Sequence, residues 1–173
     1  NFYLSRNFRL QKVGNLDWLK KNYNFSLITK SVDEIIILDV SRKNTDTKKF
    51  CKILQKFMKD CFVPLSVGGK IDSLKIAKNY INAGADKLVL NTSLLNTKLI
   101  RELAKTFGEQ CLIGSLDYKN KNNKINFYSN GGSKEINQNL SSIFKIIKNL
   151  PIGEVILNSI DRDGMMQGYD YEL

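Results

Sequence analysis

Five short apolar runs recur along the chain, and each ends in polar or glycine residues: EIIILDV (34–40), VPLSVGG (63–69), KLVLNTS (87–93), CLIGSLD (111–117) and EVILNSI (154–160). Runs of this length, rich in Val, Ile and Leu, read as buried parallel strands, and site residues emerge at the carboxyl ends of such strands. Between the runs the period changes. Phe50, Ile53, Leu54, Phe57 and Met58 recur at helical spacing, which predicts an amphipathic helix over 48–60. Asp72 or Ser73 caps a second helix reaching Asn82, closed by Ala83-Gly84. Leu95 to Phe107 forms a third helix ending at Gly108, and 139–149 forms a fourth.

Ahead of the first run, residues 1–14 read as irregular or a short hairpin, and Asp17 to about Lys30 as a helix. After CLIGSLD, the lysine- and asparagine-rich stretch 119–124 reads as a hairpin tip. INFYS (125–129) then returns antiparallel into a Gly131-Gly132 turn. Strands alternating with helices imply βαβ units and a parallel sheet. No GxGxxG follows a strand and no Walker lysine motif is present, so an open nucleotide-binding sheet is disfavoured. Polar residues close every strand instead of gathering at one switch point. That pattern predicts an α/β chain of the (β/α)8 TIM-barrel type.

Composition adds bounds. The chain has 173 residues, 42% of them hydrophobic, enough for one domain with a real core. No apolar run approaches the roughly 20 residues that span a bilayer. The mixed, polar start NFYLSRNFRL does not read as a signal peptide, and the chain opens without Met, so the full-length protein is expected to extend beyond both ends. Cys51, Cys61 and Cys111 are odd in number and lack a CxxC, which points to reduced structural thiols in a cytoplasm. His is absent, which excludes a His-based triad and disfavours zinc; neither a metal nor a cofactor is expected. The net charge of +10 comes from 22 Lys against 5 Arg, dispersed over the whole chain. Dispersion of that kind reads as a solvated lysine surface, or as accommodation of an anionic phosphorylated substrate. Nucleic acid is the weakest reading, because no basic run carries interleaved aromatics.

The segments VPLSVGGKI, GADKLVLNTSLL, FGEQCLIGSLDYK and GEVILNSIDRDGMMQGYDYEL resemble, in collinear order from about Asp33 onward, the cyclase subunit of imidazole glycerol phosphate synthase. The DRDG element followed by Gly-Tyr-Asp is the specific part; the sister isomerase of histidine biosynthesis lacks the Gly-Tyr-Asp ending. The resemblance implies a barrel of roughly 250 residues. By its motifs this chain would be one partial barrel domain, holding strands two to six and lacking strands one, seven and eight. It further implies glutamine-dependent amidotransfer. A partner glutaminase at the N-terminal face of the barrel makes ammonia, which crosses the barrel and joins a phosphorylated substrate at the C-terminal rim.

Residue by residue, the family's strand-five catalytic aspartate falls on Asp117. On position alone, an Asp closing a strand before a Lys-rich loop is equally a turn residue or an ion-pair partner. Gly68, Gly69 and Lys70, with Asn91 and Thr92, match the cradle for one substrate phosphate; backbone N–H groups and small residues suit that task. The family usually has a third glycine where Lys70 stands. Ser129, Asn158, Asp163 and Gly164 complete the matched substrate positions. Glu34, Lys87 and Glu154 each begin a strand and match three of four members of a charged ring that gates ammonia. Without the resemblance, such charges read as solvated strand flanks. Asn158, where the histidine enzyme commonly has Thr, and the segment FYLSRNFRLQKVG fit better with paralogues acting on surface-polysaccharide sugars. A phosphosugar isomerase and a non-catalytic half-barrel that only assembles with partners are the remaining alternatives.

Overall fold

A computed structural model describes residues 1–28, 30–41, 46–59, 61–122 and 124–171. Strands β1 (Phe2–Arg6) and β2 (Arg9–Gly14) form an antiparallel hairpin. Helix α1 (Leu16–Asn22) and the single turn α2 (Phe25–Ile28) follow. Then come β3 (Ile35–Leu38), α3 (Thr47–Met58), β4 (Leu65–Gly68), α4 (Leu74–Asn82), β5 (Lys87–Leu90), α5 (Thr97–Phe107) and β6 (Leu112–Lys121). β7 (Lys124–Ser129), β8 (Lys134–Ile136), α6 (Leu140–Lys148) and β9 (Glu154–Ser159) complete the order. The strands β3, β4, β5, β6 and β9 pair in parallel in that order and curl into a half-barrel. β7 and β8 add antiparallel to the far end of β6.

Alternation along each strand divides the sheet into two faces. Leu65, Val67, Leu88, Leu90, Leu112 and Leu116 point toward the helices and are almost completely buried. Leu54 and Phe57 of α3, Ala77 and Tyr80 of α4, Ile100 and Leu103 of α5 and Ile143 of α6 close over them. Tyr80 packs its ring 5.2 Å from that of Phe50 and donates its hydroxyl to Gly69 O at 3.0 Å. A buried phenol thereby keeps its hydrogen bond and ties α4 to the end of β4. Ser66, Gly68, Lys87, Val89, Ile113, Ser115, Asp117, Glu154, Ile156 and Asn158 share the opposite, concave face through the register. Ile36 and Leu38 of β3 lie on this concave face and are each 46% exposed. Val155 and Leu157, on the helix side of β9, are 44% and 45% exposed.

The elements match the expected ones with four differences, three of them set by asparagine. The helix expected over 17–30 breaks at Tyr23, whose backbone is extended, and Asn24 recaps the following turn by accepting from Leu27 N at 3.2 Å. The third core helix starts at Thr97 instead of Leu95, because Asn96 caps it by accepting from Leu99 N; a 3-10 turn fills Thr92–Leu95. β6 continues through Lys121, so the hairpin tip shrinks to a turn beginning at Asn122, whose φ is +51°. The strand β8 was not anticipated, since KEI is too short to show alternation. Residues 1–14 do form a hairpin, turning at Asn7 and Phe8 with φ of +48° and +60°.

Candidate active site

Polar groups gather at both ends of the concave face. At its N-terminal end, Lys87 Nζ lies 3.0 Å from Glu34 Oε2 and 2.7 Å from Glu154 Oε1. Ser66, fully buried in the middle of the neighbouring strand, donates to the other oxygen of Glu34. Burial alone would raise the Glu34 carboxyl, but the hydrogen bonds from Ser66 and Lys87 and the Lys87 charge hold it below its ordinary value. The hydrogen bonds that Lys87 donates to Glu154 and Glu34 raise its ammonium in turn. Three charges expected at strand starts thus converge on one point. Glu34 and Glu154 come from the two outermost parallel strands, and Lys87 stands between them.

At the C-terminal end, Asp117 is 6% exposed and its carboxyl is pushed up to about 7. Burial is the main cause and the Asp163 charge adds to it, while hydrogen bonds from Asn158 and Ser115 oppose the shift. A carboxyl at that value can take up or release a proton near neutrality. Gly68 and Gly69 close β4 beside β3. A Cβ on Gly69, whose φ is +86°, would press into the backbone carbonyl of Asp39, so only glycine fits there. Lys70 follows with φ of +61°. Asn91 donates to Ser115 O at 3.0 Å, and Thr92 Oγ1 accepts from Asn130 N at 3.0 Å. These bonds brace the ends of β5 and β6 and the turn after β7 against one another.

Two of the expected substrate positions are otherwise engaged. Asp163 Oδ2 accepts from Ser5 Oγ at 2.5 Å and from Phe8 N at 3.0 Å, so its carboxylate holds the tip of the β1–β2 hairpin. Asn7 reinforces the contact by donating its amide N–H to Asp163 O. A Cβ on Gly164 would collide with the Ser5 carbonyl. Ser129 lies on the face opposite Asp117 by alternation, and its hydroxyl is given to Lys134 O at 3.4 Å. After this loop, Arg162 donates to Tyr169 O at 2.8 Å and pairs with Asp170 at 3.5 Å, while the Tyr118 hydroxyl reaches Asp170 Oδ2 at 3.3 Å. The Gly-Tyr-Asp segment is thereby folded back on β6.

Ser66 and Ser115 were missed by the sequence reading. The signal existed: each is a lone polar residue inside an apolar strand, where burial demands a partner. No helix among the described residues is long and apolar enough to cross a membrane. No group of three or more His, Cys, Asp or Glu able to hold a metal ion occurs among them.

The model of the family described as histidine biosynthesis protein matches residues 21–173. A protein named "Putative imidazole glycerol phosphate synthase subunit hisF2" from Parasynechococcus marenigrum (strain WH8102) is 40% identical over 173 residues, covering 99% of this chain. Proteins named imidazole glycerol phosphate synthase subunit HisF are also similar. The one from Bacillus cereus (strain G9842) is 36% identical over 166 residues, and the one from Clostridium botulinum (strain Okra / Type B1) 34% over 167, each covering 95% of this chain. The chain spans 64% of the length of each of these three relatives.

Proposed function

The chain belongs to the histidine biosynthesis protein family, and we propose that the protein it comes from is the ammonia-using, cyclase-type subunit of a glutamine amidotransferase. On this reading the chain contributes strands two to six of a (β/α)8 barrel as one partial domain. The observation that carries it is the pairing of two sites on one concave face. Asp117, poised near 7, stands at the C-terminal rim, and the Glu34–Lys87–Glu154 cluster stands at the N-terminal mouth.

A glutaminase docks at the mouth and releases ammonia there. The side chains between the two ends are mainly apolar (Ile36, Val89, Ile113 and Ile156), with Ser66 and Ser115 among them. Such a lining lets a neutral molecule through and disfavours an ion, because an unpaired charge is expensive to desolvate. At the rim, the Gly68-Gly69-Lys70 turn with Asn91 and Thr92 holds a phosphate of a phosphorylated or nucleotide-linked sugar-type substrate, and Asp163 and Gly164 border the same rim. Asp117 acts as the acid or base in joining nitrogen to it. The aspartate expected on strand one would be its catalytic partner.

The experiment is formation of imidazole glycerol phosphate by the full-length protein supplied with an ammonium salt, compared with its Asp117→Asn variant. Asn keeps the shape of Asp but cannot exchange a proton, so turnover is expected to fall by roughly 10²–10⁴-fold. Retention of more than about a tenth of the wild-type rate would remove Asp117 from the reaction. A surface-polysaccharide sugar as the acceptor is the second reading. It is favoured by Asn158, the residue that contacts Asp117 where the histidine enzyme commonly has Thr. Wild-type protein that leaves the histidine-pathway substrate unconverted but aminates a phosphorylated sugar would select it.

A further inference from the structure

We propose that the outer wall formed by helices α3, α4 and α5 docks the protein side-on against an anionic lipid surface. The inference is independent of the chemistry proposed for the rim and the mouth.

The first observation is where the fold puts the charge. Lysines are spread along the sequence, yet the net charge is not spread over the molecule. α3 carries Lys48, Lys49, Lys52 and Lys56, α4 carries Lys75 and Lys78, and α5 carries Lys98, Arg101 and Lys105. All nine are exposed, and Glu102 is the one carboxylate within the three helices. Nine cations against one carboxylate leave a net charge of +8, out of +10 for the whole chain. The helices stand side by side, α3 against α4 and α4 against α5. Leu54 and Phe57, Ala77 and Tyr80, and Ile100 and Leu103 turn inward from them, so the cations share the outward side.

The second observation is that these cations are unbalanced. None of the nine pairs with a carboxylate among the described residues. They neighbour one another instead: Lys48, Lys52 and Lys56 form a row four residues apart, and Lys98, Arg101 and Lys105 form another at spacings of three and four. Like charges at those spacings destabilise a helix, and a glutamate in each row would reverse the effect. A lone surface lysine is ordinary. A wall of one sign across three helices sets up a field that draws in an extended polyanion.

The kind of side chain selects the polyanion. Eight of the nine are lysine, a compact hydrated point charge, whereas arginine is the residue suited to bidentate recognition in nucleic acids. No aromatic side chain stands among the exposed residues of the three helices, so nothing offers a face for a base to stack on. The wall is broad: α3 alone, with 12 residues, is about 18 Å long, and packed helices lie about 8–10 Å apart. A plane of headgroups asks for neither groove nor fork, only for cations within about a Debye length. The exposed positions carry no apolar side chain either, so the contact is electrostatic and involves no insertion. Docking by the side of the half-barrel leaves Asp117 at one end and the Glu34–Lys87–Glu154 cluster at the other both open.

The test is co-sedimentation of the full-length protein with phosphatidylcholine vesicles and with vesicles in which a third of the lipid is phosphatidylglycerol. Wild type is expected to bind the anionic vesicles and not the neutral ones, and to lose roughly tenfold or more in affinity between about 0.05 and 0.3 M salt. Combining Lys48→Gln, Lys52→Gln and Lys56→Gln should weaken binding by at least about tenfold. The same charge removed at the C-terminal end, by Lys119→Gln, Lys121→Gln and Lys134→Gln, should weaken it by no more than about threefold. Glutamine keeps the helix propensity of lysine and ends the repulsion, so the wall variant should melt no lower than wild type, which separates lost docking from lost fold. Equal losses in the two triple variants, or equal binding to neutral and anionic vesicles, would overturn the proposal, as would no wild-type binding at low salt. Tighter binding to transfer RNA than to the anionic vesicles would also overturn it and give the wall to nucleic acid.

Discussion

Asn158 stands directly across from Asp117 in the β6–β9 register, and its Nδ2 lies 3.5 Å from Asp117 Oδ1. The contact is long for a hydrogen bond, so it holds the carboxyl in place without fully compensating its burial. An apolar neighbour would leave the group protonated at neutral pH, and a cation would keep it ionised. An amide leaves it between those limits, at about 7.

Stability should report this directly. Asp117 is raised from 3.8 to about 7, so the folded state holds its proton over a range where the unfolded chain has released it. Its contribution is fully present below about 3.8 and is lost as pH rises through about 7. Asp117→Asn in the full-length protein should therefore be more stable than wild type at pH 8, by roughly 2–4 kcal/mol, with the gap closing near pH 4. Denaturant midpoints at the two pH values check it. A gain in stability alongside a loss of turnover marks a residue placed for chemistry.

Removing the amide should move the rate profile. Without the Asn158 donor, which lowers the Asp117 value, that value rises further. If ionised Asp117 is the working form, Asn158→Ala should shift the acidic limb of the pH–rate profile upward by about half a unit to one unit. An unmoved limb would mean that the limb reports another group.

Asp163 is expected to act on order at the rim as well as on substrate. Asp163→Ala removes the acceptor for both Ser5 Oγ and Phe8 N, so amide hydrogen exchange over residues 2–14 should speed up while the parallel strands stay protected. The loss, about 1–3 kcal/mol, falls on local opening of the hairpin. Uniformly faster exchange throughout the sheet would contradict a local role.

The parallel strands were legible because short Val, Ile and Leu runs closed by polar residues have few alternatives, and the four core helices because their apolar residues keep the helical period. The boundaries failed where asparagine intervened: Asn24 and Asn96 satisfy backbone N–H groups from their side chains and end or restart a helix at positions that apolar spacing does not mark. At the site, motif resemblance singled out Asp117, which lies buried at the C-terminal end of the concave face, and Glu34, Lys87 and Glu154, which lie together at the other. It did not reveal that Asp163 is tied to the hairpin, because a contact across 158 residues leaves no local pattern. Ser66 was legible in principle, as a hydroxyl in a strand with no water to satisfy it.

The measurement that bears most directly on the account is the response of the full-length protein, with its glutaminase, to Lys87→Ala under two nitrogen sources. Lys87 bridges Glu34 and Glu154 at the mouth, and partly exposed pairs of this kind contribute only about 0–1 kcal/mol to stability, so the fold should survive. Glutamine-driven turnover should fall by roughly tenfold or more, while turnover with added ammonium salt, which reaches the rim from the open side, should stay within about twofold. Equal losses with both nitrogen sources would return Lys87 to a structural role and contradict passage of ammonia through the barrel.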